Sequence, residues 1–210
     1  MRKPKRIGID FDNTIACYDG VFHRAAVEKH LIEPDVPIDK TNVRDELRRL
    51  GRNDDFTKLQ GYVYGARMDL VSLYPGALDI LARARAAGYE LFIISHKTRT
   101  PFAGPPYDLH SAALEFLAAQ AVIGSARAPL SGDSVFFEPT KEAKVARIAE
   151  LRCNVFIDDL PELLAMEGFP GNARLVLFDP EGHYRSETNG VNRFERYESW
   201  REIGDALMVS

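Results

Sequence analysis

The chain has 210 residues, a formal charge of −4 from 27 basic and 31 acidic side chains, and 45% apolar residues. That apolar share excludes a disordered chain, which could not bury enough surface to offset the entropy of ordering. The net negative charge argues against binding to a nucleic acid polymer by neutralising its phosphates, and the length suits one large domain with room for a small insertion.

The start, Met1-Arg2-Lys3-Pro4-Lys5-Arg6, is basic, but Asp10 and Asp12 follow at once and break any apolar export core. No run approaches the ~18 apolar residues of a membrane helix, so no membrane partner is expected. Two distant cysteines, Cys17 and Cys153, lack metal-type spacing and read as reduced thiols. The expected location is cytoplasmic.

In chain order, Ile7–Phe11 is a short β-branched run that reads as a buried strand and ends in the turn-favouring Asp12-Asn13-Thr14. About sixty residues without a convincing strand follow, too long for a structureless loop in a compact domain. Within them Val21–Leu31 and Val43–Leu50 have helical patterns, Tyr62–Tyr74 is mixed, and Glu33–Pro37 and Gly51–Asp55 are loop signals. This predicts an inserted helical subdomain over 18–72, with 1–17 and 73–210 forming the core domain. Ala77–Ala87 then reads as a helix closed by Gly88. Glu90–Ser95, Val135–Phe137, Val155–Ile157 and Leu175–Phe178 read as strands, with helices over Leu109–Ala119 and Lys141–Arg152 between them. Strands alternating with helices predict an α/β fold around a parallel sheet. Trp200–Met208 reads as a closing helix of unassigned role.

Two carboxylate pairs occupy equivalent places, Asp10 with Asp12 and Asp158 with Asp159, each at a strand end. Open α/β sheets bind ligands at the carboxyl ends of their strands. If the two strands are neighbours, their carboxylates converge and need a hard cation; Mg²⁺ suits a few carboxylates combined with phosphate oxygens. Ser95 ends another strand and offers a hydroxyl. Lys141 and Lys144 open the helix leading to Asp158, whose free N–H groups also favour an anion. One carboxylate attacking phosphorus and a second moving the proton would make a phosphoryl-transfer site.

Asp10-Phe11-Asp12-Asn13-Thr14, then Ser95, then the lysine, then Asp158-Asp159 resembles the four-motif pattern of the haloacid dehalogenase-like (HAD) superfamily. The resemblance implies a Rossmann-like core with sheet order 5-4-1-2-3 and a helical cap between the first two motifs. It implies Asp10 as nucleophile and Asp12 as general acid/base, with the Asp12 backbone carbonyl on Mg²⁺. Thr14 supports the loop, Ser95 binds the phosphoryl oxygens, and Asp159 is a direct metal ligand with Asp158 supporting. The superfamily's dehalogenases lack the second aspartate, so Asp12 favours phosphoryl transfer. Helix length and phase favour Lys144 as the motif lysine, with Lys141 the alternative.

The expected activity is Mg²⁺-dependent hydrolysis of a small phosphorylated metabolite through an aspartyl-phosphate. The alternatives are a nucleotide phosphatase, because the capped layout and Ile157-Asp158-Asp159 ending resemble the deoxyribonucleotidase-type branch, and a catalytically silent binding module. Lys97 or Arg99, just past Ser95, is a candidate for a second anionic group of the substrate, against the plainer reading of exposed loop charges. His23, His30, His110 and His183 show no ligand spacing.

Overall fold

Apolar runs too short for helices and flanked by helical segments become parallel strands here, because each helical crossover returns the chain to the same end of one sheet. The structure is a computed structural model that describes residues 5–185 and 193–208; residues 1–4, 186–192 and 209–210 lie outside the described residues. Its strands and helices are β1 (Arg6–Ile9), β2 (Ala16–Cys17), α1 (Val21–Glu28), α2 (Lys40–Arg49), α3 (Asn53–Ala66), β3 (Ser72–Leu73), α4 (Ala77–Ala86), β4 (Glu90–His96), α5 (Leu109–Ala119), β5 (Val135–Glu138), α6 (Lys141–Glu150), β6 (Val155–Asp158), α7 (Pro161–Leu164), β7 (Arg174–Phe178), β8 (Phe194–Tyr197) and α8 (Trp200–Met208).

The large sheet runs β5-β4-β1-β6-β7-β8, all neighbours parallel. Counting its strands along the chain and reading from β7, the order is the expected 5-4-1-2-3. One correction applies: a sixth strand, β8, extends the sheet beyond β7, in a stretch to which the sequence assigned no strand. Its sequence, Phe194-Glu195-Arg196-Tyr197, lacks an apolar run because it is an edge strand whose polar side chains pair laterally. Arg174 on β7 donates to both carboxylate oxygens of Glu195.

The chain divides into two compact units. The first comprises Met1–Ala16, Leu73–His96 and Gln120–Ser210, and the second comprises Cys17–Ser72 and Lys97–Ala119. In the first, Ile94, Val145, Ile148, Phe156, Leu163, Leu175 and Leu177 form one buried cluster with Cys153. Each such side chain contributes about 1.5–3 kcal/mol of burial. Burial pushes the Cys153 thiol up to about 12, which disfavours the thiolate form.

The second unit is helical, with α1, α2 and α5 each packed against α3. The sequence drew the inserted helices at 18–72, whereas this unit also takes in Lys97–Ala119. Gly61 and Gly65, one turn apart on α3, show the reason. A Cβ at Gly61 would meet Pro101 at 2.7 Å, and one at Gly65 would meet Tyr107 at 2.3 Å, so only glycine lets the 97–108 segment lie against the helix. α3 also starts at Asn53, inside the expected loop, and continues through the mixed aromatic stretch. Tyr64 sits edge-on to Tyr18 and Phe22 at 5.1 and 5.7 Å, and those contacts outweigh the weak helix propensity of Tyr, Val and Gly. Among the described residues no helix is long and apolar enough to cross a membrane.

Asp179 closes β7 onto β8. It is 3% exposed and accepts from the backbone N–H groups of His183 and Tyr184 and from Arg196 Nε at 2.6 Å. Burial alone would raise its pKa, but Arg196 and the two N–H groups more than compensate and hold it below the usual carboxylate range. A depressed carboxylate contributes stability above its unfolded pKa of about 4 and loses it as pH falls through the folded value. Asp179→Ala is therefore expected to cost about 3 kcal/mol at pH 7. Urea unfolding should show that deficit shrinking steadily below pH ~4.

Candidate active site

β1, β4 and β6 lie side by side and parallel, so their carboxyl ends open at one edge of the sheet. Register sets Ile9 opposite Ile93 on one side and Ile157 on the other. Asp10 follows Ile9, Asp158 follows Ile157 and Ser95 lies two beyond Ile93, so three strands deliver all three residues to that edge. The Asp10 N–H donates to the Ile157 carbonyl at 2.9 Å, which continues the ladder for one more bond.

The first strand stops earlier than its apolar run. Past Asp10 the Phe11 carbonyl accepts from Ile15 N–H (3.0 Å) and Ala16 N–H (2.9 Å), and Asn13 adopts the left-handed backbone at φ 56°. Asn tolerates that conformation better than most residues, so the turn follows from its sequence. The loop buries Thr14 completely and aims its hydroxyl toward Asp159 Oδ1, 3.4 Å away.

Lys144 reaches this edge from α6. Thr140 caps that helix by accepting from Ala143 N–H at 3.1 Å, which sets its phase. Lys144 then shares the buried face with Val145 and Ile148, and Lys141 faces outward to Glu162 at 3.1 Å. The Lys144 ammonium is 2% exposed and donates to Asp10 Oδ1 at 2.5 Å and to Asp158 Oδ2 at 2.6 Å. The second oxygen of Asp158 accepts from the Leu160 N–H at 2.9 Å. Of the two candidate lysines, Lys144 is the one the fold brings to the carboxylates.

Asp10, Asp158 and Asp159 each place a carboxylate oxygen within 4.8 Å of the others, a set able to hold a metal ion. The Asp12 carboxylate is outside this set; the sequence resemblance had placed Asp12 on a metal through its backbone carbonyl. Burial, opposed by Lys144 and reinforced by Asp158 and Asp12, raises the Asp10 pKa to about 7. Burial, then Asp158 and Asp10, pushes Asp159 well above the usual range. Burial would lower Lys144, but Asp10 and Asp158 outweigh it and hold the ammonium charged. Carboxylate oxygens facing one another beside the Lys144 ammonium are a donor set suited to a hard divalent ion.

The remaining expected site residues divide. Ser95 is 1% exposed at the end of β4. Lys97 and Arg99 belong to the second unit: Lys97 is buried with its ammonium 4.8 Å from the Tyr64 ring, and Arg99 is exposed and pairs with Asp108 at 3.4 Å. The residue that sequence reasoning missed is Trp200, whose indole N–H donates to the Thr14 carbonyl at 2.9 Å. Ser199 and Glu202 mark a helix start in the sequence, but nothing there pairs that start with a loop 186 positions away.

No protein-family model matches the chain, and no curated protein sequence does. Solved structures match in fold over nearly the full length. A HAD family hydrolase from Deinococcus radiodurans R1, crystallised with bound phosphate and sodium, is 17% identical with a TM-score of 0.63, covering 98% of this chain and 96% of its own. A predicted phosphatase from Clostridium acetobutylicum is 13% identical with a TM-score of 0.62, covering 99% of each. A dehalogenase is 15% identical with a TM-score of 0.54, covering 98% of each. The chain therefore has the fold of the HAD hydrolases, as its motifs led one to expect, and this fold hosts both kinds of neighbour.

Replacing Lys144 by Met keeps the stem and removes the buried charge, stranding Asp10 and Asp158. The expected cost in chelator is about 3–5 kcal/mol by urea unfolding, with Lys141→Met indistinguishable from wild type. Equal stability of the two variants would remove Lys144 from the centre of the site.

Proposed function

We propose that this protein is a Mg²⁺-dependent phosphomonoester hydrolase that acts on a small phosphorylated metabolite. The observation that carries the reading is the buried set Asp10–Lys144–Asp158 with Asp159 alongside, together with a second aspartate, Asp12, two residues past Asp10. Asp12 also separates this reading from carbon–halogen cleavage, because dehalogenases of this fold lack that carboxylate.

The donor set fits a hard divalent cation, and Asp10, Asp159 and the Asp12 backbone carbonyl are the groups proposed to hold it. Asp158, with one oxygen on Lys144 and the other on the Leu160 N–H, acts in support. When bound, Mg²⁺ supplies neutralisation of the phosphoryl oxygens. The chain's own residues do the rest. The Asp10 carboxylate attacks phosphorus and the bond from phosphorus to the leaving oxygen breaks, giving an aspartyl-phosphate. The Asp12 carboxyl gives its proton to that oxygen. Asp12, now ionised, takes a proton from water; the water oxygen attacks phosphorus, and the acyl-phosphate bond breaks to return free Asp10 and inorganic phosphate. Lys144 and Ser95 meet the phosphoryl oxygens, and Thr14 holds the loop beside Asp159.

A panel of sugar phosphates, nucleotides and an aryl phosphate, assayed with Mg²⁺ and with chelator, tests the reading. Turnover is expected to require Mg²⁺ and to fall to background in Asp10→Asn. Activity that survives chelator, or full activity in that variant, overturns the mechanism. Preference for nucleotides over sugar phosphates would place the enzyme among nucleotide phosphatases, and failure to turn over any ester would leave a binding module.

Lys97 and Arg99 are kept as proposed contacts to a second anionic group, Lys97 foremost because it lies only two residues past Ser95. Lys97→Met is expected to raise KM more than Arg99→Ala does, and unchanged KM values in both variants would remove both residues from substrate recognition.

A further inference from the structure

The catalytic loop is tied from the far end of the chain. β8 hands the chain to α8 through Glu198-Ser199, and two hydrogen bonds fix where the helix begins. The Ser199 hydroxyl accepts from Glu202 N–H at 3.2 Å, and the Glu202 carboxylate accepts from Glu198 N–H at 2.8 Å. These two bonds cap the start of α8, whose first residue is Trp200. Further along, Gly204 lets α8 approach α4 so closely that a Cβ there would stand 2.3 Å from Ile80 Cδ1. The Ala206 and Leu207 carbonyls accept from Arg174 at 3.0 Å and Tyr89 at 3.1 Å. The helix is held at its start, middle and end.

Trp200 is 1% exposed, and its ring packs on Phe178 at 6.1 Å. Its indole N–H donates to the Thr14 carbonyl at 2.9 Å, in the loop that runs from Asp10 through Asp12 to Thr14. A buried indole N–H and a buried carbonyl each need a partner, and here each supplies the other's. The following carbonyl, Ile15, accepts from the Tyr74 N–H at 3.0 Å, and Tyr74 stacks edge-on to the same Phe178 at 4.8 Å. Two consecutive carbonyls of the loop are thus fastened to one aromatic group.

We infer that Trp200 is a positioning residue that fixes the Asp10–Thr14 loop through the Thr14 carbonyl, so that the last helix of the chain sets the geometry of the proposed nucleophile and acid/base. The inference rests on the phosphomonoester reading for the reaction, but the contact itself does not. A loop displaced by an ångström moves Asp10 relative to phosphorus, and errors of that size cost roughly a hundredfold in rate. The effect is expected in kcat, since the Trp200 ring is buried and its removal takes away no exposed binding group.

Trp200 is the chain's one tryptophan, so a single indole N–H resonance reports on it. In wild type that proton is expected to resist exchange with solvent and to shift on titration with Mg²⁺ and inorganic phosphate. Trp200→Phe keeps an aromatic ring and loses the donor; it should fold cooperatively, with kcat down roughly ten- to a hundredfold and KM little changed. If the phenylalanine variant does not fold, benzothienylalanine at position 200 replaces the N–H by sulfur within the same ring shape and carries the same expectation. An indole proton exchanging like free indole, or wild-type kcat in the donor-free variant, overturns the inference. Should wild type turn over no phosphoester, the proposed reaction fails separately. An indole signal unmoved by Mg²⁺ and phosphate then overturns the positioning role too, and a signal that moves upholds the coupling of α8 to the loop.

Discussion

A parallel sheet that gathers carboxylates at one edge must also bring a cation to them, and the Lys144 ammonium between Asp10 and Asp158 meets that requirement. Coulomb repulsion among three carboxylates within 4.8 Å of one another would otherwise oppose the strand order that creates the site. Much of the first unit reads as what that ammonium needs. α6 must start at the right residue, which the Thr140 cap enforces, and it must lie on the sheet, which Val145 and Ile148 secure. The Asp158 carboxylate must face Lys144, and its bond to the Leu160 N–H turns it that way. One ammonium does not neutralise the whole set, and the remaining negative charge is what a divalent cation would complete.

The loop carrying Asp10 and Asp12 is held from a different direction. Internal hydrogen bonds to the Phe11 carbonyl give the turn its shape, but shape alone does not place it against the sheet. Placement comes through a chain of contacts that begins at Asp179: its pair with Arg196 docks β8 on β7, β8 leads to the capped start of α8, and α8 presents Trp200 to the Thr14 carbonyl. The segment with the least evident purpose in the sequence supports the loop with the most evident chemistry. Of these links the Trp200–Thr14 bond is buried, so leaving either partner unpaired there carries a desolvation penalty.

How much was legible depended on the range of each interaction. The strands β1, β4, β5, β6 and β7 and the helix over Leu109–Ala119 follow from local patterns that neighbouring residues decide, and they occur where those patterns lie. α3 was obscured because Tyr, Val and Gly weaken helix propensity locally, whereas its stability comes from Tyr18, Phe22 and the 97–108 segment packing on it. β8 was invisible because an edge strand needs no apolar run, only partners such as Arg174 on the neighbouring strand and Asp179 just past its end.

The sequence by itself determined the parallel α/β core and marked Asp10, Asp12, Ser95, Asp158 and Asp159 as strand-end chemistry, since apolar runs, turn residues and carboxylate pairs are local statements. Helix length and phase favoured Lys144 over Lys141, three residues apart on one helix. Tertiary structure turns Lys144 inward to the carboxylates and leaves Lys141 with Glu162. It also decided that Lys97–Ala119 groups with the inserted helices and that Trp200 meets Thr14. These depend on which surfaces come together on folding, and burial and hydrogen-bond satisfaction between residues distant in sequence leave no local mark in the chain.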